Sequence, residues 1–207
     1  MQRIGGVHHL KVVFGVLSMG IFGGHNEEER MVRGCVKGQP QHQEALYNLY
    51  YRKMFGVCLR YAPDRETAED ILQDGFVKVF KNIGSYEGKG SLEGWIRRVV
   101  VNTALEFLRK KSSMYPVVDI QQAANTDGGW DIVSSMSEQE ILRMVQALPV
   151  GYRTVFNLYA IEGYSHKEIA ERLNITEGTS KSQLARARQT LQENIHVSTR
   201  ENYGAAR

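Results

Sequence analysis

Between Gln39 and Tyr61 the apolar residues Ala45, Leu46, Leu49, Tyr50, Met54, Val57, Cys58 and Tyr61 recur every three to four positions, which predicts an amphipathic helix. Pro63 stops it, because a proline ring clashes with the preceding turn. Asp64 then suits the N-cap of a second helix over about 65–83, with Thr67 and Glu69 in its first turns, where the helix dipole favours negative charge. Laid out at about 100° per residue, Ala68, Ile71, Leu72, Gly75, Val79 and Ile83 form a core stripe. Asp70, Gln73, Asp74 and Val77 fall on the opposite face. The bland reading of that face is a solvated surface. Its acidity repels a phosphate backbone, so any partner it has is a protein.

Gly84 closes the second helix, and the turn 85–91 (SYEGKGS) carries neither of the glycine spacings that cradle phosphates. A third helix follows from Leu92 to about Lys111. Leu92, Trp95, Ile96, Val99, Thr103 and Phe107 share one face, while Val101, Leu105 and Leu108 lie elsewhere, the pattern of a helix packed on several sides. Periodicity then fails over 112–136, where Pro116 and the run Asn-Thr-Asp-Gly-Gly mark a linker of about 25 residues. Beyond it the pattern predicts helices at Glu138–Leu148, Gly151–Ile161, His166–Leu173 and Glu177–Ile195, with 196–207 as a tail. No segment has strand period and none repeats. The expected fold class is all-α: two small helical domains, 31–111 and 137–195, joined by a flexible linker.

The apolar run Val12–Phe22 is too short for a membrane span and near the length of a signal-peptide core, yet no A-x-A-like site follows. Translation from Met19 or Met31 explains it more simply. Residues 1–30 are therefore expected to be a disordered extension or to precede the true start. The net charge of +3 does not announce nucleic acid, but its distribution is uneven. Residues 62–75 sum to −4, 91–111 to +3 and 112–136 to −3, which separates an acidic contact face from a basic one. Cys35 and Cys58 form no CxxC and no disulfide framework, which fits buried small hydrophobes in a reducing compartment and gives no metal site. The basic end of the third helix (Arg109, Lys110, Lys111) also suits an ordinary helix carboxy-terminus.

The stretch Tyr164–Leu191 has the parts of a helix-turn-helix. Ser165 and Glu168 have capping-box spacing. Ile169, Ala170 and Leu173 point inward, and Asn174 makes the turn because asparagine tolerates left-handed backbone. Ile175 plugs the corner, Thr176 caps the second helix, and Leu184, Ala187 and Leu191 give that helix its core stripe. Its outer side would present Lys181, Ser182, Ala185, Arg186 and, toward one edge, Arg188 to the major groove, where Arg and Lys donate to guanine. Thr179, Ser180 and the first-turn amides suit phosphate contact. An enzyme acting on nucleic acid is disfavoured, since no carboxylate cluster, metal spacing, cofactor motif or nucleophile–base pair is present. A repressor-type regulator that binds duplex DNA alone is the other reading of this motif.

The segments CLRYAPDRETAEDILQDGFVKVFKNI, GSLEGWIRRVVVNTALEFLRKK and EGYSHKEIAERLNITEGTSKSQLARARQTL resemble, in order, bacterial RNA polymerase sigma factors of the extracytoplasmic-function class, from about Met31 to Ile195. The resemblance implies two helical domains, regions two and four, and a cytoplasmic, non-enzymatic subunit that opens promoters with core polymerase. It places Asp70, Gln73, Asp74, Phe76 and Phe80 against the β′ coiled coil, with the β subunit as a further partner. It assigns the −10 element to Tyr86 and its loop, Arg97, Arg98 and Asn102, with Trp95 either a strand-separating wedge or a packed core residue. Lys181, Ser182 and Arg186 would read the −35 element. An anti-sigma partner and an acidic linker threading a polymerase channel are also implied. Two departures stand out: Ser180 replaces a common β-branched apolar residue, and Asn174 replaces a common turn glycine.

Overall fold

A computed structural model of the chain describes residues 24–112 and 138–204. The run Val12–Phe22 and the linker from 113 onward lie outside the described residues. Within them the chain forms eight α-helices and no strand. The first, α1 (Gly24–Val36), begins inside the stretch expected to be an extension. Met31, Val32 and Cys35 share one side of it and pack against the core, with Cys35 buried, so burial orders a segment whose polar start hides it in the sequence. The first unit's helix α1 therefore includes residues before Met31.

Helices α2 (Pro40–Tyr61), α3 (Arg65–Asn82) and α4 (Leu92–Ser112) complete the first unit. Pro40 opens α2, where a missing N–H costs nothing. Asp64 caps α3 by accepting the Thr67 amide at 2.7 Å. The core stripe of α3 meets α4 closely: a Cβ added at Gly75 would lie 3.2 Å from Val100 Cγ2. Gly75 is therefore a helix-crossing residue, which offsets the entropic cost of a mid-helix glycine. On α4, Leu92, Ile96, Val100, Val101, Ala104 and Leu105 are buried, and this helix is enclosed on more than one side as its pattern predicts.

The second unit holds α5 (Glu138–Ala147), α6 (Val150–Phe156), α7 (His166–Leu173) and α8 (Glu177–Gly204). The predicted helix Gly151–Ile161 is in two parts, because after Phe156 the chain widens into a π-helical turn over Asn157–Ile161. The Arg153 guanidinium, buried against its own desolvation penalty, donates to the Gln146 carbonyl at 2.8 Å and so closes the end of α5. Ser165 and Glu168 make the full capping box of α7. Asn174 sits at φ 54°, ψ 49°, the left-handed turn expected of it. Helix α8 runs past Ile195 to Gly204, since no glycine or proline interrupts it after Gly178. The expected tail is thus largely helical; its apolar stripe ends before the helix does.

Candidate nucleic-acid interface

Three surfaces gather the residues singled out by the sequence. On α3, Asp70, Gln73, Asp74 and Val77 are all exposed, leaving the acidic face open. Phe76 is different: it is 3% exposed, with its ring edge-on to Tyr47 at 4.6 Å and tilted against Phe80 at 6.0 Å. It belongs to the core, which corrects its placement in a docking surface. Phe80 is half-buried at the rim of the same cluster.

On the second surface, the Tyr86 hydroxyl donates to the Gly90 carbonyl at 2.8 Å and lies 3.3 Å from Glu28 of α1. This ties the glycine-rich loop to itself and to the first helix. Trp95 is half-buried with its ring 6.0 Å from that of Tyr86, so it belongs to the loop's packed base while keeping part of its surface. Arg98 is exposed.

Arg97 and Asn102 are half-buried, and each is bound by a residue of the second unit. Glu162, in the turn before α7, receives Arg97 Nε at 2.6 Å and Nη2 at 2.9 Å, with Arg60 Nη2 3.7 Å away. The Glu162 side chain is only 6% exposed. Its hydrogen bond lifts the Arg97 pKa above the ordinary guanidinium value, whereas desolvation, reinforced by Arg97, lowers that of Arg60. Arg172 of α7 donates from Nη1 to Asn102 Oδ1 at 3.0 Å while lying 4.3 Å over the Tyr164 ring.

Two amides complete the join. Gln146 Nε2 donates to the Leu59 carbonyl at 2.9 Å, and Asn157 Nδ2 to the Arg60 carbonyl at 2.7 Å. Both acceptors lie in the last turn of α2, where helix carbonyls have no partner in the helix itself. The second unit therefore caps a helix of the first. Each such bond is worth about 1 kcal/mol net. None of Arg60, Gln146, Asn157, Glu162 or Arg172 stands out in sequence, since Glu162 and Arg172 look like ordinary polar residues flanking a cap. The only linear signal was that α2 ends in carbonyls without a capping glycine.

The third surface is α8. Thr176 accepts the Thr179 amide at 3.0 Å, and the two threonine hydroxyls lie 2.9 Å apart, so Thr179 completes a cap. Lys181 is exposed, 3.9 Å from Glu177. Ser182, Ala185, Arg186 and Arg188 are half-buried; Ser182 donates to the Thr179 carbonyl, and Arg188 lies 5.8 Å over the Tyr159 ring. Ser180 is fully buried and its hydroxyl lies 2.9 Å from His166 Nδ1, which removes it from phosphate contact. The His166 ring stacks on Tyr159 at 4.5 Å. Where an apolar residue is common, this chain joins its two motif helices through a polar pair.

Residues 46–114 match the family Sigma-70 region 2, and residues 138–191 match Sigma-70 region 4. The chain is 28% identical over 180 residues to the ECF RNA polymerase sigma-E factor of Haemophilus influenzae, covering 81% of this chain and 95% of that protein. It is 26% identical over 187 residues to the RNA polymerase sigma-H factor of Pseudomonas aeruginosa, covering 84% and 97%. Among solved structures it resembles the sigma factor RpoE of Bartonella quintana, co-crystallised with the anti-sigma factor NepR. That likeness has a TM-score of 0.47 at 23% identity, over 74% of this chain and 96% of that one. Two region matches in the family's order, on two helical units of which the second ends in a helix-turn-helix, make the conclusion direct: the chain belongs to the sigma-70 family of RNA polymerase sigma factors, in its extracytoplasmic-function class.

Proposed function

We propose that this sigma factor divides its work among the three surfaces. The exposed acidic face of α3 (Asp70, Gln73, Asp74), with the Phe80 rim, receives the β′ coiled coil of core polymerase. Exposure of that face carries the reading, because exposed carboxylates opposite the core stripe suit a basic partner and contribute nothing to packing. The loop from Tyr86 with Trp95, Arg97, Arg98 and Asn102 handles the opened −10 strand. Stacking and polar contacts offset the few kcal/mol needed to extract a base. The outer side of α8, led by Lys181 with Ser182, Ala185, Arg186 and Arg188, reads the −35 duplex, and the first-turn amides after Thr179 meet phosphate.

The subunit supplies binding and strand separation while polymerase supplies the chemistry, so no cofactor or small-molecule substrate is needed. Its work on DNA places it in the cytoplasm, where the buried free thiols of Cys35 and Cys58 remain reduced. An anti-sigma partner, of the kind the family resemblance implies, would act by withholding one or more of these surfaces.

The test is charge reversal. Asp70→Lys with Asp74→Lys should weaken binding to core polymerase by at least tenfold, measured by labelled-sigma titration. The same variant should bind a −35 duplex as the unaltered chain does. Equal loss of both affinities would contradict the division.

A further inference from the structure

The buried side of α8 is mostly apolar, built from Leu184, Ala187 and Leu191, but at two points the helix is held differently. Ser180, fully buried, meets His166 Nδ1 of α7 at 2.9 Å. The His166 ring stacks on Tyr159 of the π-helical turn, with centroids 4.5 Å and planes 23° apart, and Arg188 lies 5.8 Å over the same Tyr159 ring. A chain of contacts thus leaves α8 at Ser180, crosses His166 and Tyr159, and returns to α8 at Arg188. The two grip points are about 12 Å apart along the helix at its usual rise. We propose that His166 and Tyr159 are positioning residues for duplex reading, a two-point clamp that fixes the rotation and axial register of α8 against α7. The proposal rests on the sigma reading, which makes α8 the helix that meets the −35 element.

Rotation is the motion that a base-reading helix tolerates least. One residue of slip turns its outer face by about 100°, and a binding constellation works only within about 10–20° of its productive geometry. Apolar contacts alone resist small rotations poorly, because the hydrophobic effect has no direction. A hydrogen bond weakens steeply with distance and angle. Ser180 has no exposed surface, so water does not replace His166 when the helix turns, and the lost bond is felt in full. The bond lies one residue from Lys181 and two from Ser182, so it governs the turn that presents both. Tyr159 holds the far end, as a flat shelf shared by an imidazole and a guanidinium. The imidazole suits this place because it is neutral. Burial, with Lys181 and Arg188 of α8 nearby and only Glu177 opposing, keeps its pKa below the usual 6.5. At neutral pH the ring therefore offers one donor and one acceptor nitrogen and adds no charge beside two cations.

The experiment uses holoenzyme reconstituted from the full chain and core polymerase, on a promoter library randomised across the −35 element, with transcripts sequenced to read base preference. The parent should enrich one −35 motif. Ser180→Ala should flatten its base preferences by roughly fivefold, about the worth of one hydrogen bond. His166→Phe, which keeps the stack and loses the bond, should do the same. The double variant should be no worse than either single one, since both remove one interaction. His166→Asn, which keeps a polar atom near the Nδ1 position, should regain most of the preference that His166→Phe loses. Tyr159→Leu, which removes the shelf from under both partners, should also flatten the motif. Val145→Ala opens a cavity on α5, outside the clamp, and should lower thermal stability and transcript yield while leaving the motif as sharp as the parent's. If Ser180→Ala loses helix content by circular dichroism, His166→Phe against His166→Asn decides. A motif that stays sharp in these clamp variants, an additive loss in the double variant, or equal flattening by Val145→Ala overturns the clamp and leaves the sigma reading standing. Absence of any chain-dependent transcript from the parent overturns the sigma reading, and the clamp with it.

Discussion

Phe76 shows how a single side chain can satisfy two readings until its burial is seen. Its ring lies within the Tyr47–Phe80 cluster, so Phe76→Ala should destabilise the first unit by about 3–5 kcal/mol in denaturant titration. Intact stability with lost polymerase affinity would return it to the docking surface. His166 invites a second test, because burial, with Lys181 and Arg188 nearby and only Glu177 opposing, depresses its pKa below the usual 6.5. A depressed imidazole pKa means that the unfolded chain binds the proton more readily. Its contribution is present above pH 6.5 and is lost as the pH falls through 6.5 toward the folded value. Stability measured between pH 7 and 5.5 should fall more steeply for the parent than for His166→Gln; identical slopes would contradict the assignment. Lys181→Ala should cost about 1–3 kcal/mol of base discrimination at one −35 position, read by competition between duplexes. A uniform loss across sequences would make it a phosphate contact instead.

At the scale of elements, caps and crossings decide where helices start and how closely they approach. Ser165→Ala should cost about 1 kcal/mol through the lost cap of α7, without altering α3 or α4. Gly75→Val should cost about 1–3 kcal/mol, because the added carbons meet Val100 across the α3–α4 crossing. These features were legible in the sequence. Asp64, Ser165, Asn174 and Thr176 act over three or four residues, and local chemistry is what a linear reading captures. The acidic face of α3 was legible too, since a helix repeats its faces regularly. What escaped were matters of long range. The start of α1 depends on burial against α2, the far end of α8 outlasts its apolar stripe, and the π-helical turn puts Asn157 against α2 rather than continuing α6.

Over the whole molecule, the sequence separates two helical units, and its charge pattern separates an acidic stretch from a basic one within the first. It does not disclose that Glu162 and Arg172 of one unit hold Arg97 and Asn102 of the other, because residues 65 and 70 positions apart meet only through the fold. Of the proposed DNA contacts, Lys181 and Arg98 are exposed, while Arg97 and Asn102 are half-buried and held by the second unit. The most direct measurement is in-vitro transcription with purified core polymerase and templates from the source genome, with transcript 5′ ends mapped. Transcripts should start only when the chain is added and should share −35 and −10 elements, and Asp70→Lys with Asp74→Lys should abolish them. Absence of any chain-dependent start site, with the protein folded and the polymerase active on its own housekeeping promoters, would contradict the account.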